Sequence, residues 1–309
     1  MIRRFAFVFA FLFAVSCTAG GQPNRTLNLT VTDRPSAAAF PTSVTDFQGR
    51  SVAISKRPER IVSIGPSNTE FLFALGAGDR VVGDDDFSDE PAAAKTKEHV
   101  GGVKVNLEKV VSLKPDLIVT VKFSDGTLEA LSQSTAAVLV VDPQGAADVA
   151  RSATLIGQAI GADGAKLAGD IQKQLDAVKA KTDGAPKLKV FHEEDASDPA
   201  KIYTVGPGSF IDDLIKIAGG VNVFASAKTP YPTVSGEEII RTDPDVIVLG
   251  DALYGTSIES IAQRPGWSAL AAVKNKRVYA GLSVFSRPGP RLGEAAEAYA
   301  KLVHPELFK

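Results

Sequence analysis

An internal repeat constrains the fold of this chain more than any other feature of its sequence. The segment EKVVSLKPDLIV (108–119) aligns without a gap with EEIIRTDPDVIV (237–248), and the two share the leading glutamate, a Pro-Asp pair and the apolar pattern. Upstream, Gly-Pro pairs at 65–66 and 206–207 each end a strand pattern and open a helix pattern, at a slightly larger offset. Two such matches in the same order indicate two related structural units.

Within each unit, short β-branched runs alternate with helical patterns. The runs IVSI (61–64), LIVT (117–120) and VIVLG (246–250) read as strands, and TEFLFALG (69–76) and FIDDLIKIAG (210–219) read as helices. This alternation is typical of βαβ units, which form parallel sheets with helices on both faces. We therefore predict an α/β fold of two lobes, and we expect a ligand at the carboxyl ends of the strands.

A long helix is predicted between the two units. Apolar residues recur at helical spacing over 165–181 with no proline to interrupt them, and such a helix spans about 25 Å. Because a single helix resists bending, we expect the lobes to move little when a ligand binds.

The predicted domains are a signal peptide (1–16), a lipid-anchored flexible linker (17–42), an N-terminal α/β lobe (43–145), a helical region that contains the inter-lobe helix (146–186) and a C-terminal α/β lobe (187–309).

The first residues carry the pattern of an export signal followed by a lipid-anchoring cysteine. Arg3 and Arg4 precede an unbroken apolar run over 5–15, which is too short to span a hydrocarbon core of about 30 Å. The run fits the hydrophobic region of a secretory signal. Cys17, the one cysteine of the chain, follows in a context that resembles a bacterial lipobox. We predict a periplasmic or extracytoplasmic lipoprotein that meets the membrane through its anchor only; secretion with an unmodified cysteine is the alternative.

Composition and motifs exclude several classes of protein. The 34 Lys and Arg residues are balanced by 36 Asp and Glu residues, so the chain lacks the excess of basic residues that binding of nucleic acid requires. One cysteine and three histidines exclude a zinc finger or a cysteine-ligated iron–sulfur cluster. The phosphate-binding and nucleophile-elbow motifs of common enzymes are absent. The segment HEED (192–195) places one histidine beside three carboxylates, and we interpret it as a surface loop rather than a metal site. We predict neither an enzyme nor a bound cofactor or metal.

Four segments together resemble a known family. They are TDFQGRSVAISKRPERIVSIGPSNTEFLFALGAGDRVVG (45–83), NLEKVVSLKPDLIV (106–119), RPGWSALAAVKNKRVYA (264–280) and FSRPGPR (285–291). They are similar to the substrate-binding proteins of bacterial ABC importers for vitamin B12 and ferric siderophores. The resemblance implies a monomer of two Rossmann-like lobes joined by one long rigid helix, with the ligand in the cleft and a permease–ATPase complex as partner. It implies delivery of cobalamin or a related corrinoid; a hydroxamate-type ferric siderophore is the alternative.

Aromatic and polar residues of the strand-end loops are candidates for ligand contact. A corrin or a siderophore is large and partly apolar, and aromatic faces with a few donors suit it. The resemblance implies that Tyr231, Phe87 and the segment around Arg287 meet a corrin. The candidate ligand-binding residues are Phe87, Phe123, Tyr203, Tyr231, Tyr254, Ser283, Phe285 and Arg287.

Other positions bear on the choice of ligand. Relatives that bind vitamin B12 often carry tryptophans near Val103 and Val121, and haem-binding relatives carry a tyrosine where Glu90 stands. The acidic triplets at 84–86 and 193–195 both follow predicted strands. If they face the ligand, they disfavour a multiply charged anion by Coulomb repulsion. We therefore expect a neutral or weakly charged ligand, with cobalamin preferred.

Two glutamates are candidates for docking onto a permease. The repeat places Glu108 and Glu237 at equivalent helix starts, and the resemblance implies that one glutamate per lobe meets arginines of the permease subunits. The structural alternative is helix-start chemistry, since acidic residues stabilise the first turn of a helix. Ser235 and Glu238 also form a capping-box pattern.

Overall fold

The computed structural model describes residues 39–309. The predicted signal peptide, Cys17 and most of the predicted linker lie outside these residues, so those predictions stay untested. Within the described residues, no helix combines the length and the apolar character needed to cross a membrane.

Strands and helices alternate through both halves of the described chain. The strands are β1 (Thr42–Thr45), β2 (Ser51–Ile54), β3 (Ile61–Ser63), β4 (Val81–Asp84), β5 (Glu98–His99), β6 (Leu117–Thr120), β7 (Ala137–Val140), β8 (Lys189–Asp195), β9 (Ile202–Thr204), β10 (Val221–Asn222), β11 (Thr233–Val234), β12 (Val246–Leu249) and β13 (Val278–Ala280). The α-helices are α1 (Pro66–Ala74), α2 (Leu107–Ser112), α3 (Thr127–Leu131), α4 (Ala146–Ile160), α5 (Gly164–Thr182), α6 (Phe210–Ile217), α7 (Gly236–Thr242), α8 (Ile258–Ile261), α9 (Ala271–Lys274) and α10 (Leu292–Val303).

The N-terminal half contains the parallel sheet that the sequence predicts. Its strand order is β5-β4-β3-β6-β7, and each neighbouring pair is parallel. The central strands are buried along their whole length, which explains why they read as continuous apolar runs rather than as alternating patterns. β1 and β2 form a separate antiparallel hairpin.

The sheet of the C-terminal half is mixed. β8, β12 and β13 are parallel neighbours, and β10 also pairs with β8 in parallel. β9 is antiparallel to β8, and β11 is antiparallel to β9. The expectation of a parallel sheet is therefore correct for the centre of this half and wrong at the β9–β11 edge. The reason is the short β8–β9 connection, because a parallel crossover needs a dozen or more residues.

The internal repeat is also present in the register of the paired strands. Ile61 of β3 pairs with Leu117 of β6, and Val190 of β8 pairs with Val246 of β12. The second pair is the first pair displaced along the chain by the offset of the repeat. The β8–β9 hairpin adds residues between β8 and α6, and this addition explains why the Gly-Pro pairs lie further apart than that offset. The prediction of two related α/β units is confirmed.

The predicted inter-lobe helix is α5. Asp163 caps it by accepting a hydrogen bond from the Lys166 amide at 2.9 Å, and Ile171, Leu175 and Val178 bury one face. α5 packs on α4, which follows the N-terminal sheet, and on α10, which follows the C-terminal sheet. One continuous hydrophobic core joins these helices to strands of both halves. This shared layer supports the expectation of small relative motion.

Candidate functional site

Most of the candidate aromatic residues reach the surface. Phe87, Tyr203, Tyr231 and Tyr254 are exposed, and Ser283 is exposed as well. Exposed aromatic rings can stack against an apolar face of a ligand. These five residues are therefore free to contact a ligand.

Two of the candidate aromatic residues pack inside the protein. Phe285 is only 1% exposed, and its ring centroid lies 5.0 Å from that of Tyr299 in α10. The turn Ser283–Ser286 points Val284 and Phe285 inward, so the structure corrects the assignment of Phe285 to ligand contact. Phe123 is half-buried against the core of the N-terminal half.

Arg287 belongs to an ion-pair cluster that joins the two halves. Glu70 of α1 is 4% exposed and pairs with Arg287 at 3.1 Å and with Arg291 at 2.9 Å. Asp89 pairs with Arg287 at 2.5 Å. Burial alone would lower the pKa of Arg287, but hydrogen bonds to Asp89 and Glu70 outweigh it and raise the pKa. Sequence reasoning missed this cluster because Glu70 and Arg287 are 217 residues apart.

A buried histidine lies close to one carboxylate of the C-terminal half. His192 is 1% exposed, and its Nδ1 lies 3.0 Å from the Tyr299 hydroxyl. Its Nε2 lies 3.3 Å from Oε1 of Glu194. The carboxylate of Glu194 is partly exposed. It can therefore accept a hydrogen bond from a ligand.

Tyr231 lies in the electric field of carboxylates from both halves. Although the side chain is 43% exposed, burial of its hydroxyl group raises its pKa to about 12, and the charges of Glu194 and Asp142 add to the rise. Burial also raises the pKa of Asp142, while the charge of Lys122 opposes that rise. Asp142 follows β7 and Glu194 lies near the end of β8. The charges of one carboxylate from each half thus act on Tyr231, and we take this residue as the centre of the candidate site.

The acidic triplets do not face outward as a whole. Asp84 is buried beside His99 at 3.1 Å, and burial raises its pKa to about 6. Asp85 is buried and accepts the Gly65 amide at 2.7 Å. Glu193 is buried and accepts two hydrogen bonds from Arg264, at 2.5 and 2.8 Å. Three of the six carboxylates in the two triplets are therefore buried, and the prediction that they face a ligand is wrong for these three. The members of the triplets that retain surface exposure are Asp86, Glu194 and Asp195.

Glu108 and Glu237 occupy equivalent exposed positions. Each is the second residue of its helix, α2 or α7. Asn106 caps α2 and Ser235 caps α7, and Glu238 completes the capping box of α7. Neither Glu108 nor Glu237 forms an ion pair with another described residue. Neither glutamate is therefore needed as a cap, although each lies in the first turn, where the helix dipole favours an acidic residue.

The described residues do not bring together a cluster of catalytic or metal-binding side chains. The three histidines lie in separate environments: His99 beside Asp84, His192 beside Tyr299 and His304 beside Glu306. No cluster of three or more metal-ligating side chains occurs within residues 39–309. The HEED segment is the end of strand β8, and its residues are held by Tyr299, Arg264 and their own neighbours.

Comparison with known proteins agrees with this architecture. The family described as periplasmic binding protein matches residues 61–283. An ABC transporter substrate-binding lipoprotein of Bacillus subtilis is 36% identical over 282 residues, covering 87% of this chain and 88% of the relative. A vitamin B12-binding protein of Vibrio vulnificus is 31% identical over 255 residues, covering 78% and 89%. A solved structure from Staphylococcus epidermidis, described as a possible iron-binding (periplasmic solute-binding) protein, superimposes with a TM-score of 0.69. It is 30% identical and covers 81% of this chain and 100% of its own.

The chain belongs to the periplasmic binding protein family, the substrate-binding proteins of ABC importers, and it is not an enzyme. The two α/β lobes and the resemblance stated from the sequence are thereby confirmed.

Proposed function

We propose that this chain is a lipid-anchored binding protein that captures cobalamin or a related corrinoid outside the cytoplasmic membrane and delivers it to an ABC permease–ATPase complex. The observation that carries this proposal is the exposure of four aromatic side chains among the predicted ligand-contact residues, Phe87, Tyr203, Tyr231 and Tyr254. The vitamin B12-binding relative from Vibrio vulnificus supports the same ligand class.

The chemistry of the site suits a neutral ligand that carries amides. A corrin ring offers an apolar face to Tyr231 and Phe87, and its side-chain amides are hydrogen-bond donors. Glu194 and Asp142 are potential acceptors for these donors, and the carboxylate of Glu194 is partly exposed. A multiply charged anion would be repelled: at about 6 Å and an effective dielectric of about 20, each like-charge pair costs about 3 kcal/mol before screening.

A ferric siderophore of the hydroxamate type is the second candidate. The similarity to the Staphylococcus epidermidis protein described as iron-binding favours it. Valines at 103 and 121, where vitamin B12-binding relatives often carry tryptophan, favour it as well. Hydroxamate complexes carry little negative charge, so the carboxylates around Tyr231 do not exclude them.

Isothermal titration calorimetry with cyanocobalamin and with ferrichrome separates the two candidates. We expect one cyanocobalamin per chain and tighter binding of cyanocobalamin than of ferrichrome. Tyr231→Ala removes the ring and should weaken binding at least tenfold, whereas Tyr231→Phe keeps the ring and should change it much less. Tighter binding of ferrichrome would move the assignment to siderophores.

The membrane anchor is tested separately. Cys17→Ser should move the protein from the membrane fraction to the soluble fraction without changing its affinity for cyanocobalamin. A wild-type protein that is already soluble and carries no lipid would overturn the anchor.

A further inference from the structure

A groove on the C-terminal half opens directly beside Glu237. Its volume is about 520 Å³. Ala200 and Ile202 of the β8–β9 hairpin line one side, and Ile240 of α7 lines the other. Trp267 lines the groove as well and is only 2% exposed. The walls are mainly apolar, so the groove suits an apolar side chain.

The one cation among the lining residues is already neutralised. Arg264 makes two hydrogen bonds to the buried carboxylate of Glu193, and its guanidinium lies 4.7 Å from the Trp267 ring centroid. An anionic ligand therefore finds no available positive charge among the lining residues. Glu237 is exposed and forms no ion pair with a described residue, so it gives this side of the groove a negative charge. The groove matches a partner segment in which a cationic residue adjoins an apolar one.

The N-terminal half presents a different surface at the equivalent place. Val103 is 90% exposed and Val111 is 60% exposed. Val111 lies three positions after Glu108 on α2, so the two side chains share one face of the helix. The hairpin that forms one wall of the groove is the addition that interrupts the internal repeat, and the described N-terminal half has no counterpart to it. Glu108 borders a smaller and more open depression of about 380 Å³, lined by residues 104–108 of a single segment. The equivalent glutamates therefore differ in their surroundings: Glu108 lies beside this depression and exposed valines, and Glu237 lies beside the larger groove that the hairpin helps to form.

We propose that this groove receives an apolar side chain of the permease, next to the cationic side chain that pairs with Glu237. This proposal rests on the proposed function, since it needs a permease as partner. The groove makes docking asymmetric: the C-terminal lobe binds its permease subunit by charge and by an inserted side chain, and the N-terminal lobe binds by charge and by surface valines. Loss of the C-terminal contact should therefore weaken the complex more.

Filling the groove tests the proposal. Ala200 is exposed on the hairpin, so Ala200→Phe occupies the groove without entering the core. Ser197→Phe is the matched control, because Ser197 is exposed on the same hairpin and does not line the groove. The readout is the Kd for the permease–ATPase complex in lipid nanodiscs, with cyanocobalamin titration of each variant alongside. We expect Ala200→Phe to weaken docking about tenfold or more, and Ser197→Phe to change it less than about twofold. Neither variant should alter the affinity for cyanocobalamin.

Trp267 supplies an independent signal, because it is the one tryptophan of the chain. With 7-azatryptophan in its place, the emission can be excited apart from the tryptophans of the permease. It should shift when the permease complex is added to the wild type and stay constant for Ala200→Phe. An unshifted wild-type emission would contradict insertion into the groove.

The outcomes separate the groove from the docking function. Normal docking by Ala200→Phe, or an equal loss of affinity for the permease complex in both phenylalanine variants, overturns the proposal that the groove receives a permease side chain. If Glu108→Arg and Glu237→Arg still abolish docking in that case, the docking role of the glutamates stands. If the wild type itself does not bind the permease complex, the proposed function fails and the groove proposal fails with it.

Discussion

In the N-terminal half the leading central strand, β3, runs directly into α1, whereas in the C-terminal half the equivalent strand, β8, is followed by a hairpin before α6 begins. The central strands on both sides keep the same register. The two halves thus share a buried framework and differ in the connections that leave it. Such connections tolerate insertion because they lie at the surface, so differences between the lobes should appear in binding before they appear in folding.

The largest expected effect comes from reversing the charge of both equivalent glutamates. Glu108→Arg combined with Glu237→Arg should abolish uptake of cyanocobalamin by whole cells, because both contacts with the permease become repulsive. Both side chains are exposed, and exposed charge changes usually shift stability by about 0.5 kcal/mol or less. Ligand affinity and melting temperature should therefore stay close to those of the wild type. Normal uptake by the double variant would contradict a docking role and would leave the two glutamates with a role only at the start of their helices.

The next effect concerns the ion pairs that hold the halves together. Glu70→Gln leaves Arg287 and Arg291 without their shared buried carboxylate and should lower the free energy of unfolding by about 3 kcal/mol. Glu297→Gln is the matched control, because Glu297 forms an exposed pair with Lys301 that is worth roughly 0.5 kcal/mol. Urea unfolding measures both. Equal losses in the two variants would mean that the inter-half cluster contributes no more to stability than an exposed ion pair.

A pair of glycines tests how closely α4 and α5 must approach. A Cβ at Gly157 of α4 would lie 2.5 Å from the backbone of Gly164, so Gly157→Ala should cost about 1–3 kcal/mol. A Cβ at Gly169 of α5 meets nothing within 4 Å, and Gly169→Ala should stabilise the helix by about 0.5–1 kcal/mol. Thermal unfolding of the two variants gives the comparison. A neutral Gly157→Ala would show that the helix layer is looser than described.

The last prediction concerns the pH dependence of stability and distinguishes the buried acids of the two halves. Burial raises the pKa of Asp84 in the folded protein to about 6, above its ordinary value of 3.8. The folded state therefore binds this proton more tightly than the unfolded state, and the contribution of Asp84 to stability falls as pH rises from about 4 to 6. Asp84→Asn should remove that fall. Unchanged pH dependence in the variant would assign the effect to other groups, such as the ion-paired Glu193.

The predictable part of this molecule is the part that local pattern encodes. The strand runs, the helix over 165–181 and the apolar pattern of the internal repeat all depend on neighbours in sequence, and each appears in the structure. The β9–β11 edge was mispredicted because a short connection, rather than strand composition, decides whether strands run parallel or antiparallel. The inward turn of Phe285 and the burial of Asp85 depend on partners distant in sequence. Glu70 was missed for the same reason, since the arginines that pair with it come from the far end of the chain.

The central claim is that the two halves hold a corrinoid between them without a large change of angle. The most direct test is a pair of crystal structures of this protein, one without ligand and one grown with cyanocobalamin. We expect the corrin to lie against Tyr231 and within reach of Glu194 and Asp142, and the angle between the lobes to change by less than roughly 20°, well short of a hinge closure. A corrin bound elsewhere, no bound corrin at saturating concentration, or a larger closure would contradict the account.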